Sequence, residues 1–143
     1  MKVPFAFVIG VAAICLPAMS LQAKDKAIHL STALNGASQV PPIRTKATGQ
    51  LEADFDAASR TLRYSATYSG LSGPAVAAHF HGPAAAGANA PPVVPITDLS
   101  SPIKGSAVLT ADQAMDLLDG KWYFNVHTAA NPGGEIRGQL PAP

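Results

Sequence analysis

Apolar and acidic side chains alternate along Gly49-Gln50-Leu51-Glu52-Ala53-Asp54-Phe55-Asp56, which Ala57-Ala58-Ser59 separates from a second alternating run, 60–69. Side chains along a β-strand point to opposite faces in turn, so this pattern buries one face and leaves the other in water. The small and polar residues between the two runs indicate a turn. The stretch therefore predicts an antiparallel β-hairpin whose apolar face belongs to a protein core.

Short apolar runs recur on both sides of this hairpin, separated by turns that contain glycine or proline. They lie at 27–34, 75–82, 103–109, 121–128 and 135–140. One helix is predicted over 111–119, where Thr110 and Gln113 form a capping-box pattern. The segment 83–95 is rich in Ala, Gly and Pro, lacks periodicity and predicts a long loop. We therefore predict an all-β fold, an antiparallel Greek-key β-sandwich or flattened barrel of about seven to eight strands with one short helix.

The first 23 residues have the pattern of a signal peptide, which leaves residues 24–143 as one β-sandwich domain. Lys2 gives the positive start, residues 5–16 are apolar, and Leu21-Gln22-Ala23 is the expected cleavage site, with Ala18-Met19-Ser20 as a second candidate. The apolar stretch is shorter than the ~20 residues of a membrane-spanning helix, so no span is expected after cleavage. We predict a periplasmic or secreted protein. The single cysteine, Cys15, leaves with the signal peptide, which excludes cysteine-based zinc sites from the domain.

The charged residues are few and balanced. The chain has 10 basic and 9 acidic side chains, a formal net charge of +1, and cleavage removes one basic residue, Lys2. The sequence contains no basic block and no acidic tail. Neither nucleic acid nor an anionic membrane surface is therefore an expected partner.

Three histidines fall on matching faces of two predicted strands. His79 and His81 are two residues apart in Ala78-His79-Phe80-His81-Gly82-Pro83, and His127 lies in the later apolar run. In strands they point away from the bulky apolar side chains, toward the outer face of the fold. Imidazoles that converge on one point suit copper or zinc. We therefore predict that His79, His81 and His127 hold one metal ion.

Two further residues are candidates for the same centre. His29 lies on the outer face of the first predicted strand and is a candidate fourth ligand. Glu135 is expected near His127, because a hairpin joins their strands, and it could accept the ring N–H of a ligating histidine or pair with Arg137. The alternative for the histidines is a surface role, with hydrogen bonds to loop carbonyls.

Several motifs resemble those of the CHRD domain family, first described in chordin and also found as single-domain secreted proteins of bacteria. They are Leu34-Asn35-Gly36 with Gln39-Val40-Pro41-Pro42, the histidine stretch 78–83, and Tyr123-Phe124-Asn125-Val126-His127-Thr128 with Asn131-Pro132-Gly133-Gly134-Glu135-Ile136-Arg137-Gly138. The resemblance runs from about Ile28 to Leu140. It implies an extracytoplasmic β-rich module of immunoglobulin-like or barrel type and no established chemistry.

A weaker resemblance is to the copper/zinc superoxide dismutases, whose copper is held partly by a His-x-His pair and a histidine of a later strand. His79, His81 and His127 match that order in the sequence. The chain departs from the pattern after His81, where no bridging histidine follows and no zinc-binding set of further histidines with Asp is present.

Three functions remain open from the sequence. The first is a non-catalytic binding module that holds copper or zinc through outward-facing histidines. The second is a copper redox enzyme similar to the dismutases, and the third is a structural domain that packs against another extracytoplasmic protein. The sequence has no Gly-x-Ser-x-Gly motif, so hydrolase chemistry of that type is not expected.

Overall fold

The computed structural model describes residues 27–143 as eight antiparallel strands in one nearly closed, barrel-like sheet. The strands are β1 (Ile28–Asn35), β2 (Thr48–Asp56), β3 (Thr61–Ser69), β4 (Ala75–His81), β5 (Pro92–Pro95), β6 (Ile103–Val108), β7 (Tyr123–Thr128) and β8 (Ile136–Gln139). One helix, α1 (Ala111–Leu118), lies between β6 and β7. The predicted all-β class is confirmed. The predicted signal peptide, 1–23, lies outside the described residues.

The strand order in the sheet is β5-β4-β7-β8-β1-β2-β3-β6. The predicted hairpin is confirmed as β2 and β3, in a register that pairs Phe55 with Leu62. The strands β3 and β4, and likewise β6 and β7, follow each other in the chain but are not neighbours in the sheet, so crossover connections rather than hairpins join them, as in Greek-key arrangements. This order places β4, β7 and β8, which carry or adjoin most of the candidate residues, side by side.

The bulky apolar face of each strand packs into the core. Phe55, Leu62, Phe80, Trp122 and Phe124 are at most 1% exposed. Phe80 packs edge-on against Phe124 with 5.0 Å between ring centroids and lies tilted against Trp122 at 6.0 Å. Aromatic contacts of this kind add about 0.5–1.5 kcal/mol beyond the burial of their area. The predicted core faces of β4 and β7 are therefore confirmed.

The helix α1 begins at the predicted capping box. The Gln113 N–H donates to Thr110 Oγ1 at 3.1 Å, and the Thr110 N–H donates to Gln113 Oε1 at 3.0 Å. Ala114 and Leu117 pack against the core. Within residues 27–143, no helix has the length and apolar character to cross a membrane.

The prediction of a long loop over 83–95 is wrong at the C-terminal end of this segment. Its last residues, Pro92–Pro95, form β5, which pairs with β4 at the edge of the sheet. An edge strand tolerates proline because its outer side needs no hydrogen-bond donor. The preceding residues, 82–91, fold back across the outer side of β4, β7 and β8, where the Ala84, Ala88 and Ala90 carbonyls accept hydrogen bonds.

Candidate metal centre

The candidate site lies on the neighbouring antiparallel strands β4 and β7. His79 is opposite Asn125 and His81 is opposite Tyr123 in the register of these strands. Since side chains alternate, the residues of both strands that do not enter the core share the outer side. The structure thereby brings His79, His81 and His127 together, with one ring nitrogen of each within 4.8 Å of the others.

The closest pair of ring nitrogens is His79 Nδ1 and His127 Nε2, which are 3.2 Å apart. Two nitrogens bound to one tetrahedral zinc ion at 2.0–2.1 Å lie about 3.3–3.4 Å from each other. The separation fits two ligands of one zinc ion, and it equally fits a hydrogen bond donated by the His79 Nδ1–H to His127 Nε2. The three ligand nitrogens lie within 4.8 Å of one another, so ligation by all three requires a shift of the His81 nitrogen on the order of 1 Å.

Backbone carbonyls fix the orientation of two of the three rings. His81 Nδ1 lies 2.8 Å from the Ala90 carbonyl oxygen, and His127 Nδ1 lies 2.9 Å from that of Pro132. A carbonyl oxygen only accepts, so each Nδ1 carries the hydrogen, and in the neutral ring Nε2 keeps its lone pair. Ligating histidines in metal centres commonly donate their other ring N–H in this way.

Asn125 lies between the two Nε2 atoms. Its Oδ1 is 2.9 Å from His81 Nε2 and 2.9 Å from His127 Nε2. Three lone pairs at this spacing repel one another unless a cation or a proton lies among them. A metal ion satisfies all three atoms. The competing metal-free arrangement is a rotated Asn125 amide, whose Nδ2 donates to both rings.

The three histidines leave the strands on the predicted side but are largely buried there. His81 and His127 are 7% and 8% exposed, and His79 is half-buried at the edge of the cluster. Desolvation lowers the pKa of both His79 and His81, and the neighbouring His127 lowers it further. Both rings are therefore neutral at neutral pH, which is the form that binds metal.

A stack of side chains holds His81 in place. The Tyr123 ring lies parallel to the His81 ring, with 4.6 Å between centroids and 4° between planes. The guanidinium carbon of Arg137 lies 3.4 Å from the Tyr123 centroid. Arg137 also donates to the Ala88 carbonyl at 2.7 Å and to Asn89 Oδ1 at 3.0 Å. The stack therefore connects the His81 imidazole, through Tyr123 and Arg137, to the segment 82–91.

The structure places His29 away from the three histidines. His29 Nε2 lies 2.9 Å from a Glu52 oxygen, and its Nδ1 lies 2.9 Å from Asp54 Oδ1. The hydrogen bond to Asp54 raises the pKa of His29. The candidate fourth ligand is thus an exposed side chain of β1 that contacts acidic residues of β2.

Glu135 is fully buried and bonds neither a histidine nor Arg137. Its carboxylate accepts hydrogen bonds of 2.6–3.2 Å from the side chains of Thr45, Ser72, Thr128 and Asn131 and from the Ser72 N–H. Burial alone raises the pKa of Glu135, but these donors outweigh burial and lower it to about 2. The residue therefore joins the end of β7 to the connection between β3 and β4.

Asn125, Tyr123 and Arg137 contribute to the site without having been singled out from the sequence. Tyr123 and Asn125 alternate with His127 along one strand, which was the signal for a shared face. The contact of Arg137 with Tyr123 depends on the pairing of β7 with β8, which places Arg137 opposite Asn125.

A family model for the CHRD domain matches residues 30–140 of the chain. The match extends from β1 to the end of β8 and includes all three histidines of the cluster. No curated protein and no solved structure matches the chain.

Proposed function

The chain belongs to the CHRD domain family, and we propose that it is a binding module that holds one copper or zinc ion through His79, His81 and His127. The proposal also places the protein in the periplasm or outside the cell. The signal-peptide pattern of residues 1–23 supports that location.

One observation carries the proposal: the Nδ1 atoms of His81 and His127 face backbone carbonyls, while both Nε2 atoms face the Asn125 oxygen. In neutral rings this arrangement turns nitrogen and oxygen lone pairs toward one another in a buried place, which is unfavourable. A cation among them removes the repulsion. The two carbonyls thus leave both Nε2 lone pairs available to a metal ion at the centre of the cluster.

The ligand atoms favour copper or zinc over calcium or magnesium. Three imidazole nitrogens with one amide oxygen form a set that these transition metals accept, whereas calcium and magnesium take oxygen ligands. In a four-coordinate centre, Asn125 Oδ1 or a water molecule would be the fourth ligand.

A redox reaction is not part of the proposal. In the part of the chain that the structure describes, the three-histidine cluster is the one group of three or more side chains placed to bind a metal. The second, zinc-binding set of the dismutases therefore has no counterpart in these residues. The structure offers no observation that favours the redox alternative.

Metal content tests the proposal. The purified protein is loaded with copper or zinc, freed of loosely bound ions on a chelating resin and submitted to elemental analysis. We expect about one ion per chain in the wild type and less than about one-tenth in His81→Ala, because the variant lacks one of three nitrogen ligands.

His29→Ala is the matched control, since it removes a histidine outside the cluster and should keep the full metal content. Wild-type metal content in His81→Ala would contradict the proposed ligand set. A folded wild type without stoichiometric metal would support the rotated-amide arrangement instead.

A further inference from the structure

A groove of about 410 Å³ lies beside Arg137. Its lining includes Gln39, Val40 and Pro42 before β2, Ala86 and Gly87 of the segment 82–91, and Arg137 of β8. Small-molecule sites have volumes of about 300–1,000 Å³ and combine mostly apolar walls with a few polar groups. The groove has this size and this composition.

Arg137 is the residue that indicates a ligand. Its side chain is 1% exposed, and its guanidinium donates two hydrogen bonds, to Ala88 and Asn89. A guanidinium has five N–H groups, so three find no acceptor among residues 27–143. Arg137 also forms no ion pair within this part of the chain. Buried charges are normally paired, because burial of an unpaired cation is costly.

Glu135, the buried anion that directly precedes β8, does not supply the missing acceptor for Arg137. Glu135, two residues away, uses both of its carboxylate oxygens for the hydroxyl and N–H donors of other elements. The contact of Arg137 with the Tyr123 ring stabilises the cation but supplies no acceptor for its N–H groups. The positive charge therefore lies at the wall of a groove without a matching anion among the described residues.

We propose that the groove binds a small monocarboxylate with a short apolar body. The carboxylate accepts the remaining N–H groups of Arg137, in the two-pronged geometry that a guanidinium forms with a carboxylate. Val40, Pro42 and Ala86 contact the apolar part. One cation matches a single negative charge, which favours a carboxylate over a doubly charged phosphate.

The size of the groove limits the ligand. At ~30 Å³ per water molecule, the volume corresponds to roughly a dozen waters, which suits a short aliphatic acid or the last residue of a peptide. A free acid and a peptide C-terminus present the same chemical group, so the experiment uses both. The proposal is independent of the metal centre.

Titration of the isotope-labelled protein, followed by NMR, tests this site. We expect hexanoate to cause saturable shifts at Val40, Gly87 and the Arg137 Nε–H, and the neutral analogue hexanamide to cause none. An acetylated tripeptide ending in a free carboxylate, compared with its C-terminal amide, shows whether peptide ends bind as well. Equal shifts from hexanoate and hexanamide, or no saturable shifts, would overturn the proposal.

Two variants locate the binding. Arg137→Gln is expected to weaken hexanoate binding at least tenfold, whereas Arg63→Gln, a change at an exposed arginine, leaves it unchanged. Ala86→Glu puts a competing carboxylate at an exposed position of the rim and weakens binding with Arg137 intact. Ala86→Glu therefore still tests the carboxylate site if Arg137→Gln fails to fold. Unchanged affinity in Ala86→Glu and in any folded Arg137→Gln would contradict the site.

Discussion

Phe124→Ala is expected to lower the free energy of unfolding by about 3–5 kcal/mol. Phe124 is 0% exposed, and its ring packs edge-on against Phe80 with 5.0 Å between centroids. The truncation removes these contacts and leaves a cavity, which strands held in register cannot readily fill. A denaturant titration of the variant and the wild type measures the loss.

Val108→Ala is the control for this prediction. Val108 is 72% exposed at the end of β6, so the same kind of truncation should change stability by less than about 0.5 kcal/mol. A loss below about 1 kcal/mol for Phe124→Ala, with an unchanged denaturant slope, would mean that the core face of β7 is assigned wrongly.

Glu135→Gln is expected to cost about 2–4 kcal/mol at pH 7, the second largest effect. Both carboxylate oxygens accept from N–H donors: Oε1 from the Ser72 N–H and Oε2 from Asn131 Nδ2. Whichever oxygen becomes the amide nitrogen, a donor then faces a donor inside the protein. Glu52→Gln is the matched control, since Glu52 is exposed on β2 and exposed ion pairs contribute little.

The Glu135 carboxylate should also make the stability of the folded protein depend on pH. The pKa of Glu135 is about 2 in the folded protein and 4.5 ordinarily. A lowered pKa stabilises the folded state fully above about pH 4.5, and this contribution is lost as the pH falls toward 2. We expect a loss on the order of 3 kcal/mol from this residue, because each pKa unit between the folded and unfolded states corresponds to about 1.4 kcal/mol.

Unfolding of the wild type and Glu135→Gln at several pH values measures this contribution. The difference in stability between the two proteins should shrink as the pH falls from about 5 to 2, because the variant lacks the titrating group. A difference that stays constant over this range would show that the carboxylate is not ionised or not hydrogen-bonded as described.

Local patterns account for most of the fold. The alternation along 49–56 determines the faces of β2, and the capping box at Thr110 determines the start of α1. The strand β5 could not be predicted, because proline at both of its ends indicates a loop. Only the pairing with β4, a contact between separate parts of the chain, makes this segment a strand.

The cluster of three histidines was also predictable, since strand alternation places them on one side of β4 and β7. The separation of His29 from these three histidines was not predictable. In the sheet β8 lies between β1 and β7, and this order depends on non-local pairing. The burial of Arg137 and His127 could not be predicted either, because it also depends on a contact between separate parts of the chain. The segment 82–91 that covers this side has no periodicity that indicates where it packs.

The most direct test of the metal centre is the NMR spectrum of the four histidine rings during a titration with Zn²⁺. We expect the signals of His79, His81 and His127 to change together and to stop changing at one equivalent of zinc. His29 should keep its position, since its nitrogens contact Glu52 and Asp54. Changes of all four rings alike, without an endpoint at one equivalent, would contradict a metal centre formed by the three clustered histidines.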